Sequence, residues 1–390
     1  MDLATRIDAV MRMAVDSGGI PGISAVVSTA AGDLCTAACG ERASGGGTPM
    51  TPDTVFWIAS LSKAVTAACA MQQVEQGRLS LDAPAADVLP ELDTIQVLTG
   101  FADDGSPILR APKSRMTLRQ LLTHSAGFAY NFWQEPIARY IAATGLPDIA
   151  TRRRRSLHLP LLFDPGTGWE YGVGIDWAGL MVEAVTGMRL GHYMREHLCG
   201  PLGMHDTAFV PTASMQARRT SMHTPADGGG WKSSPPGIVA ADTEIEMGGG
   251  GLHSTAPDYA RFNRMILGRG TLDGVQVLRP ETVAMMSVNQ MGANRVHMLR
   301  TAAPAISADA EFFPGLEKSW GLSFMINEQP APTGRSAGSL AWAGLPNCYH
   351  WIDPKRDIAG VFLTQTLPFA RPDLMQPFLD FERAVYDSLG

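Results

Sequence analysis

Phe56-Trp57-Ile58-Ala59-Ser60-Leu61-Ser62-Lys63-Ala64-Val65-Thr66-Ala67-Ala68-Cys69-Ala70-Met71 is the stretch that decides how this chain is read. Ser60 and Lys63 stand three residues apart. On a helix that spacing puts both on one face, with the amine in reach of the hydroxyl. A serine hydroxyl is a weak nucleophile at neutral pH and needs a base beside it. A lysine is that base only when burial or nearby cations depress its pKa. The small apolar residues after Lys63 provide such burial. The chain has only five lysines against 26 arginines, so a lysine here is conspicuous. Ser62 is the poorer nucleophile, since it points about 100° away from Lys63 on a helix. The competing reading makes Ser60 a helix cap and leaves Lys63 in solvent.

Outward from this stretch, composition sets bounds. A length of 390 residues suggests two or three domain-sized units, or one large fold with an insertion. With 45% hydrophobic and 18% charged residues the chain reads as globular with a large core. A net charge of −7 gives no support for nucleic-acid binding. The run Arg152 to Arg155 reads as a solvated helix face. Five cysteines, with no C-x-x-C, suggest no zinc site, and reduced thiols in a cytoplasm are the default. Met1 to Ser17 reads as an amphipathic helix rather than a signal peptide. No run of about 18 apolar residues exists, so no membrane span is expected. Neither a metal nor an organic cofactor is called for. The sequence carries no reading of oligomeric state.

The N-terminal helix is followed by Ile23 to Ser28 and, after a turn at Ala30 to Asp33, a second strand, an antiparallel hairpin. Residues 85 to 240 read as mostly helix and loop. Thr117 is placed to cap Leu118 to Leu122, and Ile175 to Thr186 and Leu190 to Leu198 read as helices. Met247-Gly248-Gly249-Gly250-Gly251-Leu252 fits no phosphate-binding pattern and reads as backbone crowding or a tight turn. Ser254 or Thr255 caps the next helix. Trp320 to Ile326, Ser339 to Ala343, Cys348 to Ile352 and Ile358 to Thr364 read as strands, and Asp373 to Leu389 as a closing helix. Strands at both ends of the chain suggest one antiparallel sheet flanked by helices, an α+β fold with a mainly helical second domain. The expected division is 1–85 with 241–390 against 86–240, with the active site between them.

A serine–lysine pair also needs a second proton carrier and donors for an oxyanion. Tyr171, in Trp169-Glu170-Tyr171-Gly172-Val173, is the carrier, with a pKa lowered by the lysine ammonium. The strand through Trp342-Ala343-Gly344, just before Leu345, offers a backbone N–H to pair with that of Ser60. Phe128, Tyr130 and Trp133 are candidates for an aromatic wall. One rival nucleophile exists. Gly334-Arg335-Ser336-Ala337-Gly338 matches G-x-S-x-G, which works only on a strand–turn–helix. Proline-rich Gln329 to Thr333 precedes it and a strand follows, so Ser336 reads as a turn residue.

The order of these parts is recognisable. Ser60-x-x-Lys63, Leu121-Leu122-Thr123-His124-Ser125-Ala126-Gly127, Pro165-Gly166 before Trp169-x-Tyr171, Gly249-Gly250-Gly251-Leu252 and Trp342-Ala343-Gly344 run in sequence. Together they resemble the serine β-lactamase and penicillin-binding-protein superfamily, most of all its class C branch and family VIII carboxylesterases. The resemblance implies a β-lactamase/DD-peptidase-like fold and an acyl-enzyme on Ser60, with Lys63 as base and Tyr171 as proton carrier. It further implies an oxyanion hole from the N–H groups of Ser60 and Leu345, substrate contacts at Trp342, Ala343 and Gly344, and an architectural His124. Val173 stands where β-lactamases of this kind have Asn, and Trp342 where they have the Lys of Lys-Thr-Gly. Both departures favour uncharged carboxylic esters over β-lactams. The expected activity is that of a serine carboxylesterase on short-chain, small-molecule esters. A weak β-lactamase, an acyltransferase and an amide hydrolase are the alternatives.

Overall fold

The computed structural model describes residues 2–389 except 238 and 241. Its main sheet is built from both ends of the chain. In chain order the strands are β1 (Gly22–Ser28), β2 (Asp33–Gly40), β3 (Lys318–Trp320), β4 (Met325–Asn327), β5 (Leu340–Gly344), β6 (Cys348–Asp353) and β7 (Ile358–Leu363). They lie side by side as β3-β4-β5-β6-β7-β1-β2, every pair antiparallel. Five long helices matter here: α1 (Leu3–Asp16), α2 (Ser62–Glu75), α3 (Gly174–Thr186), α4 (Ala256–Leu267) and α5 (Pro372–Leu389).

Strand periodicity explains how this sheet is sandwiched. Successive side chains point to opposite faces. Tyr349 and Trp351 of β6 pack on Phe378 of α5, whereas His350 between them meets Tyr259 of α4. With helices on both faces, every residue of β6 and β7 is buried. Such strands read as continuous apolar runs, which is why they were visible in the sequence.

Several local expectations hold and several do not. Thr117 caps Leu118–Leu122 in a reciprocal arrangement with Gln120, as a capping box requires. Thr255, not Ser254, caps α4, accepting from the Asp258 N–H. Trp320 to Ile326 is not one strand. Gly321 to Phe324 turns between β3 and β4, with Ser323 at φ +80°. Leu190–Met194 is α-helical but Arg195–Cys199 widens into a π-turn. The middle of the chain holds two hairpins besides its helices, Val97–Phe101 with Pro107–Arg110 and Met222–Pro225 with Trp231–Ser234. Arg152 to Arg155 do not share one helix face, since only Arg154 and Arg155 enter a 3₁₀ turn, Arg154–Leu157. Arg152 sits at φ +53° after the Ile149–Thr151 turn, and Arg154 pairs with Glu91.

Ser336 lies in the connection between β4 and β5, with no helix after it. Its backbone N–H is held by Asp353, so the rival elbow is a turn. The adjacent Arg335 is buried, forms an ion pair with Glu382 of α5 and faces the rings of Phe313 and Trp351. Breaking such a pair from one side strands a charge in the core. Glu382→Ala is expected to cost about 3–5 kcal/mol in urea unfolding, while Arg335→Met combined with Glu382→Leu should cost much less. Equal losses in the two proteins would refute that account.

Among the described residues, no helix is long and apolar enough to cross a membrane, and no group of three or more His, Cys, Asp or Glu side chains is placed to hold a metal ion.

Candidate active site

Ser60 occupies a 3₁₀ turn, Ala59–Leu61, that runs directly into α2. Ala59 holds φ +45°, a conformation costly for a residue with a Cβ. Strain of this kind gathers at functional sites. From Ser62 to Gln73 every residue of α2 is buried. Lys63 is only 1% exposed, which ends the reading of Ser60 as a cap with a solvated lysine. Ser62 is committed elsewhere, since its hydroxyl donates to the Ala59 carbonyl and accepts from the Leu252 N–H.

The Lys63 Nζ lies 3.1 Å from Ser60 Oγ, 3.0 Å from the Tyr130 hydroxyl and 2.6 Å from the Gly249 carbonyl. Burial pulls its pKa down to about 7, against a smaller upward pull from Asp176. A neutral amine has two N–H bonds and one lone pair. Gly249 O and the Tyr130 oxygen can take the two donors, which leaves the lone pair facing the Ser60 hydroxyl. That is the arrangement a base requires.

The glycine run shapes this amine's surroundings. The Gly249 N–H donates to Asp176 Oδ1 at 2.9 Å, while its carbonyl accepts from Lys63. A Cβ at residue 249 would stand 2.4 Å from the other Asp176 oxygen, so no side chain fits. Asp176, on α3, is buried, and Oδ2 has no hydrogen-bond partner among the described residues. Burial raises its pKa and the lysine opposes that. Sequence reasoning passed over Asp176; the available signal was one acid inside the apolar run Ile175 to Val182.

Tyr171 brings its hydroxyl to the same place. Trp342 Nε1 donates to it at 2.7 Å, and the Ser60 side chain also bonds it. Its ring centroid is 4.6 Å from Lys63 Nζ. The expected lowering of its pKa is wrong in sign. Burial raises the phenol well above the usual range, and the bonds from Ser60 and Trp342 only soften the effect. Desolvation dominates, and Lys63, with its own pKa down to about 7, is uncharged where a phenol would titrate. His124 packs its ring 4.6 Å from that of Tyr171, is buried and is held neutral by that burial.

A cavity of about 310 Å³ opens above Ser60. Tyr130, Trp133, Trp342, Ala343 and Leu345 line it, with Trp57, Phe132, Leu299, Ile306 and Phe369. Two expected substrate-binding residues do not. Phe128 lies in the core, with its ring stacked at 26° to that of Trp177, 6.4 Å away. Gly344 instead lets β5 pass close to the serine turn, because a Cβ there would stand 2.2 Å from the Ile58 carbonyl oxygen. That pass brings Leu345 to the cavity beside Ser60. N–H groups in the first turn of a helical stretch have no intrahelical acceptor, as at Ser60. Tyr130 touches both the cavity and the lysine, a contact its sequence neighbourhood did not reveal. Val173 is fully buried in the core.

A buried serine–lysine–tyrosine cluster under an apolar cavity prompts comparison with known proteins. The family model described as beta-lactamase matches residues 7–384. The chain belongs to the beta-lactamase family. Within it, the chain is similar to the lovastatin esterase of Penicillium rubens, 33% identical over 389 residues that cover 95% of this chain and 94% of that protein. It is also similar to the monacolin J acid methylbutanoyltransferase of Aspergillus terreus, 32% identical, covering 99% of this chain and 96% of that protein. A mutant of the simvastatin synthase from Aspergillus terreus has a similar structure, with a TM-score of 0.85 and 31% identity, covering 100% of this chain and 96% of that one. The α+β architecture read from the sequence is thus the beta-lactamase fold.

Proposed function

We propose that this protein is a serine esterase and acyltransferase that carries a short acyl group on Ser60. The observation that supports it most is the Lys63 amine, buried and 3.1 Å from Ser60 Oγ, beneath an apolar cavity of about 310 Å³. Ser60 Oγ attacks the ester carbonyl while Lys63 takes its proton. The N–H groups of Ser60 and Leu345 hold the developing oxyanion. The carbon–oxygen bond to the alcohol breaks, and the proton returns to the leaving alkoxide by way of the Tyr171 hydroxyl. A neutral phenol suits this role because it has a proton to give. Water or a second alcohol then enters, gives its proton back along the same route, and releases the acyl group from Ser60.

The short-chain preference is assigned to the acyl half of the ester, and the remaining apolar space to the alcohol half. The similarity to a lovastatin esterase and a methylbutanoyltransferase supports that division. Buried Val173 and apolar Trp342, where other members carry Asn and Lys, argue against β-lactams.

The test is pre-steady-state turnover of p-nitrophenyl butyrate, with and without an apolar alcohol, followed by intact-protein mass spectrometry. A burst, one butyryl group per chain and faster p-nitrophenol release with the alcohol are expected. An absence of both acylation and turnover refutes the reading. A chromogenic cephalosporin turned over faster than the ester would replace it with a β-lactamase.

A further inference from the structure

Behind the Ser60 cavity lies a second, smaller hollow of about 10 Å³. Leu299, Trp342 and Phe369 line both, so the wall between them is one side chain thick. Two of the three are fixed by other duties. Trp342 donates to the Tyr171 hydroxyl and meets the Trp320 ring edge-on, with centroids 4.6 Å apart. Phe369 is set between Trp133 and Tyr349, 6.3 and 6.2 Å away, and its N–H donates to the Ile306 carbonyl at 2.9 Å. Leu299 contributes a side chain with no polar group. Its backbone is held firmly. The N–H donates to the Ala310 carbonyl at 2.9 Å, and the carbonyl accepts from the Ala310 N–H at 2.8 Å. A backbone pinned in this way does not follow a shortened side chain inward, so truncation opens space rather than closing it.

Beyond Leu299 the second hollow is lined by Ala310, Phe312 and Met325 and closes on Lys318. That ammonium is buried and already engaged, with the Leu316 carbonyl at 2.8 Å, the Phe313 carbonyl at 3.3 Å and Glu311 at 3.5 Å. Apolar room therefore lies behind Leu299, and it stops at an ion pair. Which half of an ester points this way follows from Tyr171. The leaving oxygen must lie beside that hydroxyl to receive its proton, and Trp342, which holds the hydroxyl, is part of the shared wall. We propose that Leu299 is the specificity-determining residue that ends the alcohol half of the cavity and sets the longest apolar chain accepted there. The proposal rests on the acyl-transfer reading for the half it measures, but not for the partition itself.

The probes are the butyrate esters of straight-chain alcohols from butanol to decanol. In the wild-type chain kcat/KM is expected to rise with each methylene until the chain meets Leu299, and then to level. Leu299→Ala should move that break about two methylenes longer and raise the ratio of decyl to butyl turnover about tenfold. Leu299→Trp should move it to shorter chains, and decides the matter should the alanine variant fold poorly. The chain-length profile of p-nitrophenyl esters, in which only the acyl half grows, should keep its break in both variants. A wild-type series with no break, a break that stays put in both variants, or one that moves only with the acyl chain overturns the proposal. Trp57, Trp133 and Trp342 line the cavity, so intrinsic fluorescence reads binding of the free alcohols without any chemistry. Alcohol affinities whose break moves with residue 299, in a chain that never takes a butyryl group on Ser60, would keep the partition and refute the acyl-transfer function instead.

Discussion

Ser60→Ala is expected to lower kcat/KM for p-nitrophenyl butyrate by at least about 10⁴-fold, the scale seen when a nucleophile acting within a catalytic unit is removed. The loss should come with no butyryl adduct on the protein, while Ser336→Ala behaves as the wild type. The reason is positional. Ser60 Oγ alone lies beside the lysine amine, the tyrosine hydroxyl and the cavity. Ser62 is tied to Ala59 and Leu252, and Ser336 sits in the β4–β5 turn. Because Ser60→Ala leaves a methyl group in a small turn, the fold should survive, and thermal unfolding will check it. Activity retained in Ser60→Ala and lost in Ser336→Ala would overturn the site.

The second large effect concerns Lys63. With a pKa of about 7 the amine loses its proton as pH rises through neutrality, so kcat/KM should climb through pH of about 7. Tyr171, raised well above the usual phenol range, adds no basic limb at moderate pH. Lys63→Met should cost about 10³-fold or more in rate, since the base is gone. The same substitution should change how stability depends on pH. In the unfolded chain this lysine titrates near 10.5, in the folded one near 7. Between those values folding releases a proton, so stability is highest above 10.5, falls as pH drops toward 7, and is level below that. Over the whole window the shift is on the order of 5 kcal/mol. The wild-type minus Lys63→Met difference in urea unfolding should therefore rise by a few kcal/mol from pH 7 to 9.5. A flat difference would mean an ordinary lysine.

How much of this was legible in the sequence follows from how local each signal is. Thr117 with Gln120, the β1–β2 hairpin and the strands β6 and β7 are specified by a few neighbouring residues, and the structure has them within a residue or two. Ser60, Lys63 and Tyr171 were legible because their order matched a known arrangement, and the structure brings the three together. What escaped depends on contacts remote in sequence. Nothing near Tyr130 says that its hydroxyl reaches a lysine 67 positions earlier. Phe128, two residues away, turns into the core instead. Asp176 owes its meaning to a glycine 73 residues downstream. The sign of the Tyr171 shift was misjudged because a nearby ammonium was weighed without the burial that removes its charge. The arginine run was read from charge alone, although a positive φ at Arg152 divides it between two separate 3₁₀ turns.

The sheet also has a history during synthesis. Ser24 of β1 sits opposite Leu363 of β7, so the first strand of the sheet must wait for its last. At roughly 10 residues per second that is about half a minute in which one edge of the β1–β2 hairpin has no partner. An open edge of this kind is a template for pairing with other chains, and a polypeptide in this state depends on being shielded. The wait has a chemical counterpart. Ser60 and Lys63 leave the ribosome early, but Trp342, which holds the Tyr171 hydroxyl, and Leu345, beside the serine turn, arrive with the strands that close the sheet. A nascent chain therefore carries its nucleophile long before it has a site in which to use it.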